Sequence, residues 1–464
     1  MSLGRRQDEQ SPLFVATQEL PRSAGHPFYA RLEGVLREAE FDRRVEDLCA
    51  PYYKDGGRPS IPPGVYFRML FVGYFEGIDS QRGIAWRCSD SIALREFLGV
   101  PITRSTPDHS SLTVIRQRLP LAVHEAVFTL VLEVAAEKGL LKGKTIAVDA
   151  TLLEANAAMK SIVRRDTGED WKAYLRRLAA EEGEESTKDD DLRRFDKRRK
   201  KKKVSNKDWG SPSDPDSRIA RMKDGTTHLA YKAEHAVDLA SDIVVAAPIY
   251  HATEADPSTL LSTIETARTR LAAAAGVEPR EVVTDRGYHK LDNLVACETQ
   301  GLRTYICEPK VNGERRWDDK TEEQRAAFQR NHRRVRGKRS KELQRRRSER
   351  AERSFAHVCE TGGARRTWIR GLEEVTKRYL LQVASRNLGV ILRALFGVGT
   401  PRALQDKAAE LAAAMIRCLL ALSVVAALVA VARQLLAHVG KADGATRCDE
   451  LQPGRRWAPI STGC

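Results

Sequence analysis

The chain has 464 residues, 42% hydrophobic and 30% charged, enough for one large or two to three ordinary domains with a buried core under a very polar surface. Its formal net charge of +15 favours a polyanionic partner, because each Lys or Arg set against a phosphate releases condensed counterions. The eight cysteines have neither zinc-knuckle nor CxxC spacing, which argues against a cysteine-held metal or redox centre and reads as reduced thiols, and the N-terminus lacks the apolar stretch of a signal peptide.

Residues 1–24 read as a flexible N-terminus, and residues 25–125 as an all-helical domain. Within it, GGRPSIPPGVYFRMLFVGYFEGID starts with Gly/Pro punctuation and then places Val65, Met69 and Val72 at helical spacing. Further helices are expected over Ser80 to Cys88 and Ser91 to Leu98. In TPDHSSLTVIRQRL, Asp108 or Ser110 caps a helix that carries Arg116 and Arg118. Several short helices with a basic last one suit a helix-turn-helix-like DNA-binding module, and equally a plain helical scaffold.

A second domain is expected over residues 140–400. In KTIAVDATLLEA, Ile146 and Val148 alternate into Asp149, a strand ending in a carboxylate. A charged segment, about 160–225, follows with an acidic patch (Glu181, Glu182, Glu184, Glu185, Asp189 to Asp191) and a basic run (Arg193, Arg194, Lys197 to Lys203). Opposed charge blocks of this kind are usually solvated, so it reads as a mobile insertion, with a basic arm on DNA as a secondary reading. Strands are then expected over Leu229 to Val237 and Ile243 to Tyr250, joined as a hairpin by the bend at Leu239 to Asp242. A helix follows with Asp256 near its N-cap and Pro257 in its first position. Val282 and Val283 run into Asp285, a second strand ending in an aspartate. After a helix over Lys290 to Thr299 and a short strand, Arg303 to Cys307, the chain turns helical and very basic. This order is that of a mixed α/β sheet with an inserted loop. Residues 401–464 read as a helical extension and tail. Their apolar run, Cys418 to Ala432, is shorter than the roughly 20 residues needed to span a bilayer and is expected as a packed helix.

Two strands that each end in an aspartate, followed by a helix with glutamates, form a chemical device. Adjacent strand ends set carboxylates side by side, and these stay ionised together only if cations neutralise them. Mg²⁺ suits such hard oxygen donors, and a pair of ions about 3.5–4 Å apart serves phosphodiester displacement. His228, His235, His251 and His289 are not expected as ligands, because Mg²⁺ seldom takes imidazole.

These motifs carry a resemblance. From about residue 25 to about residue 404 the chain resembles transposases of bacterial insertion sequences with a ribonuclease H-like DDE domain. GRPSIPPGVYFRMLFVGYFEG and SIALREFLGV with TPDHSSL resemble the family's helical N-terminal domain. IAVDATLLEAN and VVTDRGYHK resemble its first two catalytic strands, RSERAERSFAHV its last catalytic motif, and RGLEEVTKRYLLQVASRNLGVILRAL, with Asn387, its closing helix. The resemblance implies a ribonuclease H-like mixed sheet flanked by helices, with Asp149, Asp285 and Glu352 as catalytic and metal-holding residues. Glu349, three residues from Glu352 on one helical face, is the alternative third carboxylate. The chain departs from the looser Tyr-Arg-Glu-Lys signature of related transposases: no tyrosine precedes, and Cys359 stands at the lysine's place.

By the same resemblance the cofactor is Mg²⁺, two ions per site with Mn²⁺ able to substitute. The substrate is double-stranded DNA, as inverted-repeat ends and target, acted on by a homodimer or higher oligomer in the bacterial cytoplasm at the nucleoid, without a membrane partner. Arg116, Arg118, Arg345, Arg346, Arg347, Arg350 and Arg353 are the candidate phosphate contacts, some of them simply a solvated helix face. Two other readings stay open: a metal-dependent nuclease on the same fold, and a transposase-derived DNA-binding protein without catalysis.

Overall fold

A computed structural model describes residue 16 and residues 27–54, 56, 60–183, 188–199, 205–310, 315–404, 415–425 and 428–433. The expected flexible N-terminus, the Gly57–Pro59 start of the first helical motif, Glu184 and Glu185, Lys200 to Lys203, and the tail after Arg433 lie outside the described residues.

Residues 1–401 form one compact unit. It begins with α1 (Pro27–Glu38), α2 (Phe41–Cys49), α3 (Pro63–Phe75), α4 (Gln81–Asp90), α5 (Ile92–Phe97), α6 (His109–Arg118) and α7 (Leu121–Glu137). Local chemistry sets the helix starts. Ser80 and Ser91 cap α4 and α5, and Asp108, the first of the two expected caps, accepts from Ser111 N at 2.9 Å at the start of α6. Helix α3 is apolar all round and buried from Gly64 to Phe75, which makes it the axis of the helical layer. Its one cation, Arg68, is 3% exposed and forms a bidentate pair with Asp42 at 3.0 and 2.7 Å. Gly64 makes room for this, since a Cβ there would lie 2.2 Å from Asp42 Oδ1.

In α7, His124 is fully buried between Tyr66 OH (3.2 Å from Nε2) and Pro120 O (3.1 Å from Nδ1). Burial lowers its pKa to about 4 from the ordinary 6.5. The unfolded chain therefore takes up this proton first, and stability should fall as pH drops from about 6.5 to about 4, by up to about 3 kcal/mol. Thermal melts across that window should show the slope, and His124→Gln should flatten it.

The sheet runs β4-β5-β1-β8-β9, built from β1 (Thr145–Glu154), β4 (Arg218–Arg221), β5 (Thr227–Asp238), β8 (Glu281–Thr284) and β9 (Arg303–Ile306). Strand β5 is antiparallel to β1 and β4, whereas β1, β8 and β9 are mutually parallel. The expected strand over Ile243 to Tyr250 divides into β6 (Val244–Ala246) and β7 (Ile249–His251), both on β5, with a register shift between Ala236 and Val237. Strand β1 does not end at Asp149. It runs on to Glu154, because the long β5 pairs with it over its whole length from Ile146.

The charged segment between β1 and β5 also differs from the expected mobile insertion. Its described residues include a two-stranded sheet, β2 (Val163–Arg164) with β3 (Trp209–Gly210), and two helices, α8 (Trp171–Glu181) and α9 (Asp189–Arg198). Leu175 and Ala179 pack on Leu192 and Phe195, so four apolar side chains at helical spacing hold the charged helices together. Composition hides this, because the apolar set is small against the surrounding charge.

Helix α10 (Asp256–Ala275) covers one face of the sheet and packs on α7. Then come α11 (Leu291–Thr299), α12 (Glu322–Arg336) and α13 (Lys338–Phe355). The last packs against β1, β5 and β8. The long α14 (Leu372–Phe396) contacts both α7 and α3, joining the helical layer to the sheet. Asn387 clamps it to β6, donating to Val244 O at 2.7 Å and accepting from Val244 N at 3.0 Å.

Residues 402–464 form a second unit. Its helix Met415–Arg433 has 19 residues, long and apolar enough by length and composition to cross a membrane. Its described side chains are exposed, where the sequence suggests a packed helix, and the helix runs beyond the Cys418 to Ala432 stretch to Met415 at one end and Arg433 at the other.

Candidate active site

The site is set by register. Ala147 of β1 lies beside Val283 of β8, and carrying that parallel register on by two residues sets Asp285, just past the end of β8, beside Asp149. Burial raises the Asp149 pKa, the Arg347 guanidinium opposes that, and the nearby Asp285 charge pushes it up further. Asp285 caps the short turn after β8 by accepting from Gly287 N at 2.9 Å. The two aspartates are thus neighbours, Asp149 within β1 and Asp285 just past the end of the adjacent β8.

Asp149 pairs directly with His235 of β5, so both point to the α13 face of the sheet. The α13 side chain that reaches Asp149 is Arg347, whose Nη1 lies 2.9 Å from Asp149 Oδ2. Arg347 Nε donates to Gln344 Oε1 at 3.0 Å. Gln344 Nε2 in turn donates to Thr284 O at 3.0 Å and Tyr305 O at 2.8 Å, the ends of β8 and β9. The guanidinium is therefore held over Asp149 by a relay anchored in the sheet.

Glu352 is placed differently. The sheet-facing side of α13 is marked by the buried Ser340, Leu343, Ala351 and Ser354. One residue beyond Ala351, Glu352 is turned about 100° away and is exposed, and Glu349 is exposed and pairs with Arg353. Among the described residues, no group of three or more His, Cys, Asp or Glu side chains is close enough to hold a metal ion. The structure brings Asp149 and Asp285 together and leaves Glu352 on the flank of α13.

The arginines divide by environment. Arg345 is exposed, Arg346 pairs with Glu342 at 2.6 Å, Arg350 is half-buried, and Arg353 lies 3.6 Å from Asp242. Arg118 is exposed, with its guanidinium 4.8 Å from the centre of the Tyr53 ring. Arg116 is not a surface residue: it is 8% exposed, and its Nε is 2.6 Å from Glu374 on α14. His235 is buried in the core. Its Nδ1 lies 2.8 Å from Ser354 Oγ, whose hydrogen is given to Ala351 O, so Nδ1 donates and Nε2 accepts from Tyr379 OH at 2.8 Å. Stacked on Phe355 at 4.0 Å, this ring pins α13 and α14 to β5.

Sequence reasoning missed the opposite face of β5. Lys232 and Glu234 are buried there and 2.8 Å apart, and Lys232 is also 2.8 Å from Asp256 at the start of α10. Glu234 accepts from Thr263 at 2.5 Å and from Tyr288 OH, in the turn after Asp285, at 3.2 Å. This buried polar network fixes the turn that carries Asp285. Gly287 lets the turn pass, since a Cβ there would stand 3.0 Å from Asp256 Oδ2 and 3.1 Å from Asp285 Oδ1. The signal lay in LAYKAEHAVDL, whose alternation puts Lys232, Glu234 and Asp238 on one face of a strand otherwise apolar enough to be central.

Residues 17–118 match the model of a transposase domain (DUF772), and residues 303–392 match that of a transposase DDE domain. Together they mark an insertion-sequence transposase with a DDE domain, a protein of DNA transposition and of mobile elements. No curated protein and no solved structure matches the chain.

Proposed function

We propose that the chain binds the terminal inverted repeats of its own element as a dimer or higher oligomer, cuts DNA strands there, and joins the freed 3′ ends to a target. The observation that carries this reading is the placement of Asp149 on β1 and of Asp285 just past the end of the adjacent parallel β8, under a helix of arginines. Antiparallel strands on one side of β1 and parallel strands on the other support a ribonuclease H-like sheet, the fold the motifs resemble.

The donor set fits a divalent cation. Both side chains offer hard oxygens, and the Arg347 guanidinium already stands on Asp149 as a cation would. Mg²⁺, with Mn²⁺ as substitute and two ions per site, would supply charge stabilisation at the attacking and leaving oxygens. Asp149 and Asp285 would hold them. The remaining work belongs to the chain. Arg347, set against Asp149, grips a phosphate oxygen of the DNA, and Arg350, three residues further along the same side of α13, holds the strand. The network of Lys232, Glu234 and Tyr288 keeps the Asp285 turn in place from behind.

The test uses labelled duplexes carrying the DNA that flanks the coding sequence at each element end. With Mg²⁺ or Mn²⁺ the protein should release a 3′-hydroxyl at the element end and then transfer it to a second duplex. Cleavage that survives in Asp285→Ala would overturn the assigned site. Nicking without strand transfer would mark a nuclease, and binding without nicking a DNA-binding protein.

A further inference from the structure

A cavity of about 530 Å³ lies between the helical layer and the sheet, away from the two aspartates. Four arginines line it, Arg116, Arg366, Arg370 and Arg378, against two carboxylates, Asp79 and Glu374. Both carboxylates are already engaged: Glu374 by Arg116 at 2.6 Å and Lys377 at 2.7 Å, and Asp79 by the Trp368 indole N–H at 2.6 Å. The arginines are not all satisfied. Nη1 of Arg116 and Nη1 of Arg378 are buried donors with no acceptor among the described residues. Arg378 makes a single hydrogen bond, from Nη2 to Asp79 O at 3.3 Å, and burial lowers its pKa to about 10. Two guanidinium groups with spare buried donors are costly unless an anion meets them.

The lip of the cavity has a second feature. Trp368 is 52% exposed yet firmly held, by its indole bond to Asp79 and by Asn156 Nδ2 donating to its carbonyl at 2.9 Å. The Arg366 guanidinium lies 5.0 Å from the centre of its ring. An exposed, rigid aromatic beside arginines is a surface for a base or sugar next to a phosphate.

The cavity is aligned with the aspartates. Leu153, in its wall, is four residues along β1 from Asp149 and so points to the same face of the sheet. That separation is about 13 Å at the rise of a strand. One strand of duplex DNA advances about 3.4 Å per nucleotide, so the cavity stands about four nucleotides from a phosphate at the aspartates.

We propose that this cavity is a phosphodiester-binding site for DNA, taking a backbone phosphate about four nucleotides from the cleaved bond at Arg116 and Arg378, with Trp368 against the neighbouring base or sugar. The choice of DNA rests on the proposed function; the anion site rests on the cavity itself.

Duplexes of the element end, each with one neutral methylphosphonate at successive positions, separate these claims in a binding titration. For the wild-type protein, a substitution three to five nucleotides from the cleaved bond should weaken binding about tenfold. In Arg378→Gln that position should become silent, and the slope of log affinity against log salt should fall by about 0.9. Trp368→Ala should weaken binding while the methylphosphonate penalty persists. Arg378→Gln removes a buried charge that lacks an ionic partner, so its melting temperature should hold; Arg366→Ala, on the exposed lip, gives a second reading of the salt slope. A penalty unchanged in Arg378→Gln, or none at any of these positions, would overturn the proposal even where cleavage proceeds normally. A melting temperature raised by inorganic phosphate through Arg378, with duplex binding indifferent to that residue, would show a free-anion site and overturn the DNA assignment.

Discussion

Asparagine at position 149 is expected to lower strand cleavage by on the order of a thousandfold, about 4 kcal/mol of transition-state stabilisation, while binding of the element end is largely kept. Asparagine preserves the shape of the side chain and its place opposite His235. It removes the charge that, with Asp285, makes the crevice attractive to a divalent cation. If both aspartates serve one centre, as proposed, Asp149→Asn with Asp285→Asn should cleave little worse than either alone, the signature of residues that act as a unit. Single-turnover cleavage of a labelled end in Mg²⁺, with affinity measured in parallel, checks both statements. Two losses that simply multiply would separate the carboxylates into independent roles. Asp149→Asn also frees Arg347 from its partner, so the variant's affinity for DNA should be equal or higher, never lower.

How far this centre could be read from sequence depended on the range of the signal. Val282 and Val283 running into Asp285 is a local pattern, and β8 ends there as expected. The same logic misjudged β1, because the partner that prolongs it past Asp149 is β5, far away in sequence. The break between β6 and β7 is likewise a pairing effect, since each part aligns with a different stretch of β5. Helical phase explains the rest. A motif places Glu352 near a phenylalanine on a basic helix, but only the side that packs on the sheet decides what faces Asp149, and here that is Arg347. Arg116 read as a surface cation because its partner, Glu374, is on the distant α14. Lys232 and Glu234 were legible only as alternation; their burial follows from α10 covering that face.

Replacing Arg386 by methionine is expected to destabilise the 1–401 unit by about 3–5 kcal/mol, the usual cost of leaving one member of a buried ion pair alone. Arg386 heads the largest fully buried side chains and is 1% exposed. Its Nη2 stands 2.9 Å from Asp242 Oδ1, and it also donates to the Asp242 carbonyl. Asp242 holds a left-handed turn, φ 68°, between β5 and β6, so the pair ties α14 to the hairpin that flanks the site. Next to it, Asn387 makes the two-way clamp with Val244. Without Arg386 the aspartate is only 9% exposed and loses its nearest cation, since Arg353 stays at 3.6 Å. Converting Asp242 to glycine in the same chain removes the stranded charge and suits the left-handed backbone, so the double variant should recover part of the loss. Denaturant midpoints at constant m-value would measure it. A drop below about 1 kcal/mol in Arg386→Met, or a double variant weaker than the single, would show that the pair does not hold α14. Because α14 also carries Tyr379, which bonds His235 and through it Ser354 of α13, the same loss should loosen the helix that presents Arg347 to Asp149. Cleavage should therefore fall at temperatures well below the unfolding midpoint.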